Sequence, residues 1–321
     1  MQPQINDHSA TTGVMLALGA FLIWGMSPIY FKSLLGIPAH EILLHRMVWS
    51  FLLLLPIVVF TRRSHEFKTV LLDRRKLFVL AITTILVSGN WFVFIWAVQN
   101  NRIVEASLGY YINPLLNVLL GIVVLKERLR WPQIIAVSLA AMGVVYLTVQ
   151  IGTLPWISLV LAFSFACYGL IRKVAPVNAL VGLTVETLFL SVPAAIYLVF
   201  IGMDGRGAYL HLHWTTDILL MCAGLITAIP LLLFTAGARK IHLSTLGILQ
   251  YFAPSCNFLI ALVIYHESML PAQWMTFFMI WTALIIYTLD MVRANKKQRI
   301  IGSLNKPLRS RKALRNPAGG G

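Results

Sequence analysis

Tyr111-Ile112-Asn113-Pro114-Leu115-Leu116-Asn117, followed after nine residues by Glu127, has a counterpart in Tyr251-Phe252-Ala253-Pro254-Ser255-Cys256-Asn257 and Glu267. Tyr, Pro, Asn and Glu recur at a constant offset of 140 residues. Gln133 and Gln273 continue the register, and Leu108-Gly109 matches Leu246-Gly247 after a two-residue slip. At the front of each half, Trp24-Gly25 matches Tyr168-Gly169. Apolar matches would say little in a Leu-rich chain. Four polar or special positions in fixed register point to an internal duplication.

The composition states the solvent. Hydrophobic residues make up 59% of the 321 residues and charged residues 12%, with mean hydropathy +0.80. A soluble domain carries about 25% charged residues. A chain this poor in charge cannot cover its own surface in water, so lipid is its solvent. Cys167, Cys222 and Cys256 lie far apart inside apolar stretches, without C-x-x-C spacing. They read as small core residues, with no disulfide framework, metal site or cofactor implied. Residues 1–12 are polar and lack a basic n-region, and the first apolar run is long enough to span. A cleaved signal peptide is therefore not expected.

A bilayer core needs about 20 apolar residues per helix. Apolar runs between charged or Pro/Gly-rich breaks predict ten spans: 13–35, 40–60, 77–99, 105–125, 131–149, 154–171, 179–201, 217–238, 243–265 and 270–291. With the N-terminus inside, the cytoplasmic segments are 61–76, 126–130, 172–178, 239–242 and the tail from 292. They hold 22 of the 26 Lys and Arg residues, leaving Lys32, Arg46, Arg102 and Arg206 on or near the outer side. Basic loops stay on the side of synthesis, which gives N-in and C-in. The net charge of +15 is thereby accounted for by topology, and no nucleic-acid partner is implied. The basic tail, 292–321, reads either as a solvated, disordered end or as a contact for anionic lipid heads.

Five spans per half is an odd number, so the second half enters the membrane from the opposite side. Glu127 then falls at the cytoplasmic end of the fourth span and Glu267 at the outer end of the ninth. The expected fold is an all-α membrane protein: a polar N-terminus (1–12), a five-helix repeat (13–149), its inverted twin (154–291) and the tail. Inverted repeats recur in secondary transporters, where each half can adopt what its twin adopts across the membrane.

Ionisable and polar groups inside spans are costly in lipid and are the functional candidates. Glu41, His45 and Arg46 open the second span near the outer face, with Glu41, His45 and Trp49 four apart on one helical face. Arg46 lies about 10 Å inside the helix start, where it serves a cavity or reaches towards lipid heads. Glu186 is the only carboxylate clearly within a span of the second half, and it roughly mirrors Glu41. It is either the site that couples transport to protons or a neutral, hydrogen-bonded structural acid. Asn90, Asn113, Asn117 and Asn257 lie near mid-span. Asparagine both donates and accepts, which suits an uncharged or zwitterionic solute, and it equally serves as polar glue between helices. Asn90, about 20 Å from the inner face, and Asn113, about 12 Å from the outer face, converge in a core about 30 Å thick. Both are expected at a shared central cavity. Trp24, Trp91, Trp96, Tyr110, Tyr111 and Tyr251 line that cavity or pack in the core, whereas Trp131 and Trp214 suit interfacial belts. Pro28, Pro114, Pro230 and Pro254 interrupt their helices.

Trp24-Gly25-Met26-Ser27-Pro28 and the run from Glu105-Ala106-Ser107-Leu108-Gly109-Tyr110 to Pro114 resemble the RarD proteins. So do Gly89-Asn90-Trp91, Phe94-Ile95-Trp96-Ala97 and Leu243-Ser244-Thr245-Leu246-Gly247. These belong to the EamA branch of the drug/metabolite transporter superfamily. The resemblance extends from about residue 13 to residue 291. It implies a bacterial inner-membrane protein of ten helices that acts as a permease or exporter of small molecules. The family name is linked with chloramphenicol sensitivity, which does not identify a physiological substrate.

Among function classes, the secondary transporter of small metabolites or drug-like molecules leads. No G-x-x-x-x-G-K-[ST] loop exists for ATP hydrolysis. A membrane enzyme is the rival, but the chain contains no H-E-x-x-H or G-x-S-x-G motif. A passive channel or membrane scaffold is the third class, and the inverted duplication weighs against it. The partners expected are a small-molecule solute, the lipid bilayer and, as coupling ion, the proton.

Overall fold

The computed structural model describes residues 7–34, 36–99, 103–152, 156–264 and 270–315. Among them all regular structure is helical: α1 (Asp7–Lys32), α2 (Ala39–Phe60), α3 (Ser64–Leu72), α4 (Arg74–Gln99), α5 (Ile103–Val123), α6 (Trp131–Ile151), α7 (Trp156–Val174), α8 (Ala179–Met203), α9 (Trp214–Ala238), α10 (Leu243–Gln250), α11 (Phe252–Val263) and α12 (Pro271–Arg315). Helices suit this sequence because hydrocarbon offers no water to satisfy backbone N–H and C=O groups. Among the described residues, eight helices are long and apolar enough to cross a membrane, and Gly109–Val123 forms a shorter apolar stretch.

Two expectations change. The expected ninth span, 243–265, is two helices that meet at Tyr251. Pro254 has no N–H to offer the carbonyl of Gln250, so the ladder breaks one turn before it. The tail continues α12 to Arg315 instead of ending in a disordered segment. Its Lys, Arg, Leu and Ala are strong helix formers, and 45 residues at 1.5 Å per residue make about 68 Å. The connector 61–76 also holds a helix that was not anticipated. In α3, Val70 is buried with Leu80, Val177 and Val181. Glu267 and Arg102 lie outside the described residues.

The connectors fall at two ends of the bundle. At the basic end, the Lys173 ammonium donates to the carbonyls of Ala238, at 2.8 Å, and Ile241. Arg239 donates to the Val177 carbonyl, and Arg130 pairs with Asp290 at 2.6 Å. At the opposite end, Leu34, Ile42, Ala208 and Leu220 pack together, and the Glu41 carboxylate accepts the Ala208 N–H at 2.6 Å. Between the ends, α1 packs on α9, α10 and α11. The other principal pairs are α4 on α7, α4 on α8, α5 on α7, α5 on α10, α2 on α8, α2 on α9 and α6 on α12.

Candidate functional site

Arg46 turns into the bundle. Its Nε donates to Thr227 Oγ1 on α9 at 2.8 Å. Its guanidinium carbon lies 5.1 Å from the centroid of Trp91 on α4 and 5.6 Å from that of Phe31 on α1, within range of cation–π attraction. The hydroxyls of Tyr110 on α5 and Tyr30 on α1 lie within electrostatic reach of the guanidinium. Helices α1, α2, α4 and α9 thus converge on one charge, with Tyr110 of α5 within electrostatic reach. Tyr110 keeps 47% exposure and Arg46 is half-buried. Arg46, Trp91 and Tyr110, expected at a cavity on separate grounds, are here brought together.

Asn90 and Asn113 share a neighbour. The Asn90 amide donates to the Leu161 carbonyl at 2.7 Å and to Ser164 Oγ at 2.8 Å. Asn113 donates to the next carbonyl, Ala162, at 2.6 Å. Both amides therefore grip consecutive residues of α7 from α4 and α5. Asn117 donates to Asn113 Oδ1 at 3.2 Å and to Gln250 Oε1 at 2.7 Å, tying α5 to α10. The Oδ1 atoms of Asn117 and its repeat partner Asn257 are buried without a hydrogen bond among the described residues. Tyr251 is buried and donates to the Tyr111 carbonyl at 3.1 Å.

The remaining candidates lie elsewhere. Residues adjacent in a helix point about 100° apart, so His45 cannot share Arg46's face. His45 accepts from Trp49 Nε1 at 3.3 Å, meets the Tyr209 ring at a tilt with 5.2 Å between centroids and lies 3.9 Å from Glu41. It belongs with the connector that covers the opposite end. Trp24 joins an aromatic cluster with Phe165 and Phe234, at 5.8 and 5.7 Å. Glu186 is buried towards the basic end, where its Oε1 accepts from Thr83 at 2.5 Å and lies 3.5 Å from Arg172 Nε. Tyr168 donates to its Oε2 at 3.4 Å. Arg172, within the segment 172–178 expected in a cytoplasmic loop, lies in the last turn of α7 and is fully buried. Phe31, Tyr30 and Thr227 were not anticipated either. A threonine in the apolar run of α9 was the available signal for the last.

Known proteins place the chain. The EamA-like transporter family model matches residues 11–149. Protein RarD of Salmonella typhi is 46% identical over 286 residues, covering 89% of this chain and 97% of its own. Protein RarD of Escherichia coli (strain K12) is 44% identical, covering 89% and 96%. A Vibrio cholerae protein called an uncharacterized transporter is 45% identical, covering 92% and 97%. A solved structure with 18% identity has a TM-score of 0.67 and covers 86% of this chain and 97% of that one, which shows a shared fold. The chain therefore belongs to the EamA-like transporter family, as a RarD-type, multi-pass membrane transporter.

Proposed function

We propose that the chain is a secondary transporter, a permease or exporter of small metabolites or drug-like solutes in the bacterial inner membrane. Two inverted halves, 13–149 and 154–291, alternate access to a site between them, with both termini in the cytoplasm. Ten crossings follow when α5 and the α10–α11 pair are counted with the eight long helices.

One observation carries this reading. Exchanging α1 with α7, α2 with α8, α4 with α9, α5 with α10–α11 and α6 with α12 maps the principal helix pairs onto themselves. Under it, α1 on α9 becomes α7 on α4, and α5 on α7 becomes α10–α11 on α1. The repeated residues act alike as well. Gln133 accepts the Arg130 N–H at 3.0 Å and Gln273 the Leu270 N–H at 2.8 Å, each at the start of its helix. A five-crossing unit repeated about such an axis is inverted, and inverted halves exchange conformations across the membrane. Glu186 is the coupling candidate, since a proton on its carboxylate would remove the counter-charge of Arg172.

The test combines topology and flux. Reporter fusions after residues 66 and 292 are expected to report cytoplasm and one within 204–212 the outside. Medium from cells with the protein is expected to differ in at least one small solute from medium of cells lacking it. Two reversed reporters would overturn the orientation, and identical solute profiles would overturn transport.

A further inference from the structure

We propose that Arg46 is the anion-binding group of the transport site, and that the solute is a small organic carboxylate whose apolar, preferably aromatic, body lies against Trp91 and Tyr110. This rests on the transporter reading and adds the substrate class.

The argument begins with a missing counter-charge. A cation inside a membrane-spanning bundle is costly, and a charge lasting there needs a partner. Arg172, also on a spanning helix, has one in Glu186 at 3.5 Å. Arg46 has none among the described residues. Its one hydrogen bond to a described residue runs from Nε to a neutral hydroxyl, and its ring contacts are the faces of Trp91 and Phe31, with the phenols of Tyr110 and Tyr30 within electrostatic reach. Its terminal N–H groups therefore remain as a planar fork, the geometry that binds a carboxylate through two parallel bonds.

The surroundings hold that fork in place. The Thr227 hydroxyl donates a hydrogen bond to the Ala223 carbonyl at 2.7 Å, so its oxygen is left to accept from Nε and pins the guanidinium plane. Trp91 and Phe31 attract the cation without neutralising it. Tyr110, exposed and backed by Phe94 at 5.9 Å between ring centroids, supplies an aromatic face beside the charge. An inorganic ion would use the charge and leave these faces unused. An aromatic or aliphatic carboxylate uses both. The neutral polar groups first singled out, Asn90 and Asn113, hold α7 in place and leave Arg46 as the recognition charge.

The test is calorimetric titration of the purified full-length protein in detergent with phenylacetate and indoleacetate. The neutral analogue phenylacetamide, the cationic phenethylamine, acetate, chloride and inorganic phosphate are run alongside. The aromatic carboxylates are expected to bind saturably, and the neutral and cationic analogues about tenfold or more weakly, the range of a charge-assisted bond. Arg46→Gln is expected to remove the preference for carboxylate. Arg46→Lys, which keeps the charge and the fold but loses the fork, is expected to bind with intermediate strength. Trp91→Leu is expected to reduce the advantage of aromatic carboxylates over acetate. The inference is overturned if phenylacetamide or phenethylamine matches phenylacetate, or if the preference survives Arg46→Gln. It is equally overturned if phosphate or chloride binds while no carboxylate does, or if folded wild type binds no carboxylate at all. Transport is judged separately, on the solute profiles. A neutral solute moved independently of Arg46 would leave the transporter reading standing and remove only this inference.

Discussion

Glu127 and Leu243 join the two halves at the basic end: Glu127 Oε1 accepts the Leu243 N–H at 2.7 Å. Oε2 accepts the N–H and the hydroxyl of Ser244 at 2.9 and 2.7 Å. The carboxylate thereby caps the first turn of α10, where N–H groups lack helical partners and the dipole favours an anion. Burial opposes its ionisation, but bonds from His242, Ser244 and Leu243 outweigh it and hold the carboxyl at about 2, below its ordinary 4.5. A lowered carboxyl pKa contributes stability fully present above the ordinary value and lost as pH falls through the folded one. Glu127→Gln is therefore expected to lower unfolding free energy at neutral pH by about 2–3 kcal/mol. The gap from wild type should narrow below about pH 4 and close near pH 2. Thermal unfolding in detergent across that range measures it, and equal melting at neutral pH would refute the capping account.

The second buried ion pair predicts a different pattern. Nε and Nη1 of Arg172 make no hydrogen bonds among the described residues, so Glu186 is its main compensation. Glu186→Gln leaves a buried guanidinium without a counter-charge, which costs about 3–5 kcal/mol. Folded yield is expected to fall sharply. Replacing both partners, Arg172→Met with Glu186→Leu, removes the charge altogether and is expected to restore most of the yield. Size-exclusion profiles of the three proteins decide this, and a double variant worse than Glu186→Gln would contradict it.

The long spans were legible because lipid demands runs of about 20 apolar residues, which few other features imitate. The matched register of Gln133 with Gln273 and of Tyr111 with Tyr251 stands out because these are polar or special residues in a uniform background. What stayed hidden depends on tertiary contact. The nine residues of α3 sit between Arg63 and Arg74 and read as a charged connector, although Val70 docks on α4 and α8. Pro254 was visible as an interruption, but whether it kinks or breaks the helix depends on what Tyr251 packs against. Arg46 stood out as a charge in an apolar run. That it faces Trp91 and Thr227 rather than lipid heads depends on α4 and α9, which no local pattern contains. Asparagine was ambiguous for a chemical reason, because the same amide serves a solute or a neighbouring helix.

That ambiguity leads to a third prediction. Asn90 and Asn113 donate to Leu161 and Ala162, so their removal loosens α7 against α4 and α5. Each Leu substitution is expected to cost about 1 kcal/mol, typical of hydrogen bonds between membrane helices. The double variant should remain in the membrane fraction and melt lower than either single variant. Transport should fall with it, because in the proposed alternating-access scheme α7 is the twin of α1. Full transport and unchanged melting in the double variant would show that neither asparagine positions α7.

Close approach of α10 to α5 supplies the last prediction. Gly247 is where the two helices approach most tightly on the α10 side. A Cβ built there would lie 2.5 Å from the Pro114 carbonyl oxygen and 2.9 Å from Asn117 Cβ. The first of these is backbone, which cannot swing aside, so Gly247→Ala must push α10 away from α5. That displacement would also stretch the Asn117–Gln250 bond, now 2.7 Å. Overpacking of this kind costs about 1–3 kcal/mol, and transport is expected to drop because in the proposed scheme these helices sit on the axis relating the halves. Gly89 on α4 is the control, since a Cβ there meets nothing within 4 Å. Gly89→Ala is expected to leave transport intact and to stabilise the helix by up to about 1 kcal/mol through lower chain entropy. Paired melting and flux measurements test both substitutions. If Gly247→Ala behaves like Gly89→Ala, the α5–α10 contact is not the tight joint described above.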